Sequence, residues 1–131
     1  MLGTVFATIS FRQKHIDLKR DGTFPIIHGV RVLSLEHDTL AGSTRQRAEA
    51  LVARGALDAR FAAEILSALT IFMNLRLSAQ IEARHRGRAE ATSVVNVAAM
   101  PTVERDMLRD ALRIVRRFRE LIRLRYNLTG L

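Results

Sequence analysis

Residues 58–85 read DARFAAEILSALTIFMNLRLSAQIEARH, a stretch with neither glycine nor proline. Asp58 is a helix-capping residue type, so the stretch predicts one long helix over 59–85. Its apolar stripe consists of Phe61, Ile65, Leu69 and Phe72. The next two positions on that face are Arg76 and Gln80. An arginine that continues a core stripe must leave the core or find a buried partner, because an unpaired buried charge costs several kcal/mol.

Two shorter helices are predicted before the long one. The first begins near Pro25, whose ring suits the first helical turn, and it ends at Gly42. The second begins at Thr44 or Ser43 and ends at about Arg54. The residues expected to point inward are Ile26, Val30, Leu33, His37 and Leu40 in the first helix and Ala48, Leu51 and Val52 in the second.

A fourth helix is predicted after a long connection. Residues 86–101 show no helical spacing, which predicts an irregular loop of roughly sixteen residues. The last helix then starts at Pro101 or Thr102. Its expected inner face consists of Val103, Met107, Ala111, Ile114, Phe118 and Leu121. The arginines expected outside that face are Arg105, Arg109, Arg113, Arg116 and Arg123.

Four helices with these stripes favour an all-α fold, an antiparallel four-helix bundle over residues 24–131. Residues 4–11, TVFATISF, alternate and are rich in β-branched and aromatic types, which predicts a short strand or extended arm within residues 1–23. A lone strand makes no sheet by itself. We therefore expect the arm to pair with a partner, to pack on the helices, or to end a preceding domain of a longer protein.

The composition is that of a single globular domain. The 131 residues are 48% hydrophobic and 26% charged, enough for one core. The lack of cysteine excludes disulfides, a thiol nucleophile and a Cys-based zinc site. No run approaches the ~18 consecutive apolar residues of a membrane-spanning helix, and residues 1–11 lack the basic start of a signal peptide. We therefore expect a soluble protein of the cytoplasm.

The charge balance is basic. The net charge is +8, with 19 arginines against two lysines. Such an excess suits nucleic acid, a phosphorylated ligand or an acidic protein, and an arginine-biased genome also produces it. The arginines are dispersed over several helices, and the aromatic residues are six Phe and one Tyr, with no Trp. Base-stacking platforms are therefore not expected, and nucleic acid is not the favoured partner.

Catalytic templates are absent from the sequence. It contains no Gly-x-Ser-x-Gly elbow, no Gly-x4-Gly-Lys phosphate loop and no His-Glu-x-x-His pair. The histidines, none of them at metal-ligand spacing, are His15, His28, His37 and His85. One weak pattern remains. Arg31 and His37 are separated by five residues, which is compatible with the Arg/His pair of helical ribonucleases of the HEPN type.

Several polar residues form a candidate binding set. They are Asp17, Lys19, Arg31, Thr44, Arg47, Arg76 and Gln80. Arg76 and Gln80 lie one turn apart and together offer three or more donors to one ligand or carboxylate. The planar guanidinium of arginine binds carboxylate or phosphate bidentately. The alternative is a buried network in which Asp17 or Glu36 neutralises Arg31 or Arg76.

Spaced motifs along most of the chain resemble one family. They are Ile16-Asp-Leu-Lys19, Gly22, Phe24-Pro-Ile-Ile-His-Gly-Val-Arg-Val-Leu-Ser-Leu35, Thr44-x-x-Arg47, Leu75-Arg-Leu77 with Gln80, and Glu104-Arg105-x-x-Leu108. Over residues 14–126 the chain is similar to the nucleotidyltransferase substrate-binding domain. That domain forms the C-terminal part of bacterial proteins that combine CBS or cyclic-nucleotide-binding modules with a nucleotidyltransferase domain. Those proteins are similar in turn to the uridylyltransferase that modifies the PII nitrogen-signalling protein.

The resemblance implies a bundle related to the C-terminal domain of kanamycin nucleotidyltransferase, docked beside a catalytic domain that binds magnesium and a nucleotide triphosphate. The Gly-Ser and Asp-x-Asp motifs of such a catalytic domain are missing here, so this chain is not expected to transfer nucleotides alone, or to hold a metal or cofactor itself. Pro25 and Thr44 match the family but are explained as helix starts. Residues 88–101 depart from the family's more polar connection. The substrate-binding positions that the resemblance implies are Asp17, Lys19, Arg31, Arg47, Arg76 and Gln80.

The leading hypothesis is therefore a non-catalytic substrate-binding or regulatory domain that works with a nucleotidyltransferase catalytic domain, fused or separate, in bacterial signalling. Its ligand would be an acidic protein or a phosphorylated group. One alternative is a ribonuclease that uses Arg31 and His37. Another is an adaptor whose arginine-rich last helix docks an acidic partner. A homodimer is compatible with each.

Overall fold

The computed structural model describes residues 15–87 and 93–127, and within these ranges the chain forms four α-helices and one two-stranded sheet. The helices are α1 (Phe24–Glu36), α2 (Thr44–Ala53), α3 (Ala59–His85) and α4 (Thr102–Tyr126), and the strands are β1 (His15–Asp17) and β2 (Val94–Asn96). A π-helical turn, Lys19–Thr23, leads into α1. The predicted all-α class is confirmed in its broad form, with a small sheet added. The strand predicted over 4–11 lies outside the described residues.

The long helix α3 has the bounds that its sequence predicts. The Oδ2 atom of Asp58 accepts a hydrogen bond from the backbone N–H of Phe61 at 2.9 Å, which caps the first turn. Phe61, Ile65 and Phe72 are buried. The predicted stripe is therefore the face that α3 presents to the core.

The first helix ends earlier than predicted. Its last residue is Glu36, and the expected continuation to Gly42 is wrong. Asp38 takes a left-handed φ of 56°, and the backbone N–H of Thr39 donates to the carbonyl of Ser34 at 2.9 Å. This is the hydrogen bond of a Schellman C-cap, with an aspartate in the position that glycine usually fills. His37 and Leu40 therefore lie beyond the helix.

The last helix buries a different stripe from the predicted one. Its buried residues are Leu108, Ala111, Val115, Phe118 and Ile122. Val103 is 71% exposed and Met107 is 42% exposed, so their assignment to the inner face is wrong. Two overlapping stripes share Ala111 and Phe118. The contacts with the other helices decide between them, and those contacts are not visible in the spacing of α4 alone.

The two strands pair across a long sequence separation. β1 and β2 are antiparallel, with Ile16 opposite Val95, and both of these residues are buried. The loop predicted over 86–101 therefore contains a strand, so that prediction is wrong for 94–96. Three residues are too few for an alternating pattern to stand out. The proposed boundary between an arm and a helical domain after residue 23 stays a prediction.

Two glycines allow close approach to the largest core side chains. Phe72 of α3 and Phe118 of α4 are the largest fully buried residues. A Cβ atom on Gly22, in the π-helical turn, would overlap the ring of Phe72, and one on Gly29 of α1 would overlap the ring of Phe118. The segment from 19 to 36 is thus held tightly against both long helices.

Helix α3 is apolar beyond its buried stripe. By length and composition alone it could cross a membrane, although only 39% of its most apolar window is buried inside the protein. A core helix passes the same test, and the buried Phe61, Ile65 and Phe72 give α3 that role. The property therefore assigns no membrane to this chain. It does show that the outer side of α3 is apolar as well.

Candidate functional site

Asp17, the last residue of β1, connects the start of the helical segment to Ser93, which precedes β2. Its Oδ1 atom accepts hydrogen bonds from Ser93 Oγ at 2.7 Å, from the N–H of Lys19 at 3.0 Å and from the N–H of Arg20 at 3.2 Å. The hydrogen bond from Ser93 is the main reason that the pKa of the Asp17 carboxyl lies below its ordinary value. This predicted ligand-binding carboxylate is thus occupied by internal contacts.

Lys19 lies in the π-helical turn that precedes α1, and Arg31 lies within α1. The Nζ atom of Lys19 is 6.0 Å from the centre of the Phe24 ring, and that ring stacks on His28 with 5.7 Å between centres. Arg31 follows His28 by three residues, and its side chain is exposed. Two of the predicted site residues therefore share one surface with an exposed Phe24–His28 stack.

Arg76 and Gln80 are half-buried on α3, one turn apart. Arg76 follows Phe72 by four residues, on the side of the helix that packs on Gly22. The Nε atom of Arg76 is buried and has no hydrogen-bond partner within the described residues. Neither Asp17 nor Glu36 is within ion-pair distance of Arg76 in that part of the chain.

Arg47 helps to fix the connection between α1 and α2. Its Nε atom donates to the carbonyl of Leu40 at 2.6 Å. The Nη1 atom of Arg54 donates to the carbonyl of His37, also at 2.6 Å. Arg47 was predicted to bind substrate, and the structure gives it a contact that holds the loop after α1.

The sequence did not indicate a cluster that joins the ends of α1 and α4. Arg125 donates from Nε and Nη2 to the Glu36 carboxylate at 2.9 and 3.2 Å, and the Tyr126 hydroxyl donates to the same carboxylate. These contacts hold the pKa of Glu36 below its ordinary value, and the hydrogen bonds from Arg125 have the largest effect. The pKa of the Tyr126 hydroxyl is raised, mainly by burial and to a smaller extent by its hydrogen bond to Glu36. About ninety residues separate the partners, so no local pattern could have shown the cluster.

The cluster also engages His37, and it leaves Arg31 outside. The Glu36 carboxylate pairs with Arg125, and the Asp17 carboxylate accepts a hydrogen bond from Ser93. The alternative in which Asp17 or Glu36 neutralises Arg31 or Arg76 therefore does not occur. The Nε2 atom of His37 lies 2.9 Å from Arg125 Nη2. No described residue forms a hydrogen bond or ion pair with the side chain of Arg31. Arg31 and His37 are thus placed in different surroundings.

A comparison with protein-family models decides the family. The model described as "Putative nucleotidyltransferase substrate binding domain" matches residues 3–126 of the chain. The chain belongs to this family. A search of curated proteins found no match, and a search of solved structures found none either.

The family match spans all the elements described above, together with the six predicted site residues. In this nucleotidyltransferase substrate-binding domain, the described residues include no group of three His, Asp or Glu side chains placed to hold a metal ion. The polar feature that stands out is Arg76. It is the one charged side chain with a buried, unpartnered atom in the described part of the chain.

Proposed function

We propose that this domain is a non-catalytic partner of a nucleotidyltransferase catalytic domain, fused or separate, and that it holds an anionic group of the substrate through Arg76. The catalytic partner would supply the magnesium and the nucleotide triphosphate. The family match supports the pairing with a nucleotidyltransferase. Bacterial signalling in the cytoplasm is the setting that we propose for it.

The unpartnered Nε atom of Arg76 carries the ligand part of the proposal. A buried donor without an acceptor costs about 1–3 kcal/mol, and more when it belongs to a charged group. Seven other arginines of the described chain pair with acidic side chains: Arg20, Arg86, Arg109, Arg113, Arg117, Arg123 and Arg125. Arg76 has no such partner there. An anion from outside the chain would satisfy it.

The donors near Arg76 define the chemistry of the ligand. The guanidinium presents a planar fork of N–H groups, which matches carboxylate and phosphate oxygens. Gln80 adds an amide one turn away, and both residues are half-buried, so the contact would be partly shielded from water. We propose a phosphate or carboxylate group as the part of the substrate that binds here.

The arrangement of the four helices as an antiparallel bundle is part of the same proposal. Arg117 of α4 bonds to Glu64 of α3 at 3.2 Å, and Phe118 meets Phe61 edge to face with 6.1 Å between ring centres. These contacts bring the second half of α4 beside the first half of α3. They support the antiparallel packing of α3 and α4. We propose that the four helices form an antiparallel bundle related to the C-terminal domain of kanamycin nucleotidyltransferase.

The alternative functions gain less support. Five arginines of α4 already pair with acids, including Arg117 with Glu64 and Arg125 with Glu36. Five of the eight α4 arginines are therefore already engaged, which leaves a smaller basic surface for an acidic partner. For the ribonuclease, His37 Nε2 is engaged with Arg125.

Thermal unfolding with and without anions tests the ligand part. Inorganic phosphate, nucleoside triphosphates and a dicarboxylate are added to the wild-type protein, to Arg76→Met and to the control Arg60→Met, which changes an exposed arginine of the same helix. A bound ligand at a hundred times its dissociation constant stabilises by about 2.7 kcal/mol. We expect at least one anion to raise the melting temperature of the wild type and of Arg60→Met, but not of Arg76→Met. No shift with any anion, or an equal shift in Arg76→Met, would overturn the proposal.

A further inference from the structure

The outward side of α3 is a continuous apolar surface. Residues that recur every three or four positions lie on the same side of an α-helix. We call those on this side of α3 the α3 outer face: Ala59, Ala63, Leu66, Thr70, Met73, Leu77 and Ile81. Met73, Leu77 and Ile81 are 57%, 56% and 50% exposed. A helix that is apolar on both sides is normally covered on both, and no element within residues 15–87 and 93–127 covers this face.

The two halves of the α3 outer face have opposite shapes. Its first half forms the floor of an open groove of about 580 Å³, with Arg45, Glu49 and Val52 of α2 as one wall. Its second half is a ridge made of Met73, Leu77 and Ile81. The groove and the ridge follow one another along the same helix, and the ridge begins at Met73. Each copy of the chain therefore carries both an open groove and an apolar ridge that could fill the groove of another copy.

We propose that a second copy of this chain covers the α3 outer face, in a two-fold dimer with the two α3 helices antiparallel. An axis beside Met73 and Asn74 places Leu77 of one copy against Thr70 of the other. The same axis places Ile81 against Leu66, inside the groove. Two-fold symmetry repeats both contacts, so the one surface is complementary to itself.

The charges at the ends of this surface agree with the same register. Arg84 follows Ile81 by three residues, on the same side of α3. The axis that seats Ile81 in the groove places Arg84 level with Ala63 of the other copy, and Ala63 and Glu49 line the same groove. Within the described residues, neither Arg84 nor Glu49 has an ion-pair partner. In the dimer, Arg84 of each copy would pair with Glu49 of the other copy, so two such ion pairs would form.

Mass in solution tests the dimer. Sedimentation equilibrium or light scattering of the wild type, over a wide range of concentration, should reach twice the chain mass of 14.8 kDa. Leu77→Glu should remain monomeric, because it places a charge in the apolar contact. Since Leu77 is exposed in the single chain, this variant should fold, and circular dichroism would check that it does. The control Leu35→Glu changes an equally exposed leucine, 58%, on α1 and should dimerise like the wild type.

A charge exchange tests the register. Arg84→Glu or Glu49→Arg alone should weaken dimerisation several-fold, and the double variant should restore it. A monomeric wild type at every concentration would overturn the proposal, as would a dimer that Leu77→Glu leaves intact. Binding of the monomer to phospholipid vesicles, lost in Leu77→Glu, would assign the face to a membrane and also overturn it. Arg76 is not on the α3 outer face, so Arg76→Met should keep the dimer mass whether or not the proposed ligand site is correct.

Discussion

At the scale of single residues, Arg76 is held in an unfavourable position without a ligand. Its buried Nε has no acceptor in the described residues. Arg76→Met keeps much of the apolar stem and removes the unsatisfied group, so we expect the ligand-free protein to gain up to about 1–3 kcal/mol. Urea unfolding measures the change, and Arg60→Met should stay within about 0.5 kcal/mol of the wild type. A clear loss of stability in Arg76→Met would show that its guanidinium is already satisfied.

Asp17 gives a pH dependence at the same scale. Its folded pKa lies below the ordinary value, mainly because Ser93 donates to the carboxylate. The stability that Asp17 contributes is therefore complete above about pH 4 and is lost as the pH falls through the folded pKa. Asp17→Asn should lose about 1 kcal/mol at neutral pH and show a flatter decline in acid. Urea unfolding over a pH series measures both. The exposed Asp110→Asn is the control, and a decline in Asp17→Asn as steep as in the wild type would contradict the assignment.

At the scale of elements, the caps explain where the helices begin and end. Both Ser43 and Thr44 can start α2 by residue type, and the structure selects Ser43. Its Oγ accepts from the N–H of Gln46 at 3.2 Å, while the Gln46 side chain accepts from the N–H of Ser43 at 2.8 Å. This reciprocal pair is a capping box. At the end of α1, Asp38 closes the helix in place of a glycine.

The capping box makes a testable distinction between neighbouring residues. Ser43→Ala should cost about 1 kcal/mol of unfolding free energy, since it leaves backbone donors of the first turn unpaired. Thr44→Ala, one residue along, should change stability by less than about 0.5 kcal/mol. Chemical denaturation of both variants measures the difference. Equal losses would mean that Thr44 shares the cap.

At the scale of the whole molecule, close approach at one glycine sets how α1 packs on α4. The ring of Phe118 occupies the space that a side chain at Gly29 would need. Gly29→Ala should therefore cost about 1–3 kcal/mol, although alanine favours helix more than glycine does. Gly29→Ala combined with Phe118→Leu should lose less than the two single changes together, because the smaller side chain makes room. Additive losses would show that the two positions do not meet.

The sequence by itself determined the four helices, the family and the polar residues worth testing. Asp58 and the glycine-free run predict the observed bounds of α3, and the residue types of Ser43 and Thr44 place the start of α2 to within one residue. Such signals act over three or four residues, and so they can be recognised without the rest of the fold.

Only the tertiary structure decided which residues act on each other across the chain. In the folded chain, Ile16 is paired with Val95 and Glu36 forms an ion pair with Arg125. The carboxylate of Asp17 accepts a hydrogen bond from Ser93. The tertiary structure also chose Leu108 and Val115 over Val103 and Met107 as the buried stripe of α4. These choices depend on contacts between residues far apart in sequence. The local spacing of apolar residues is compatible with more than one buried stripe, and the packing of the core selects one of these stripes.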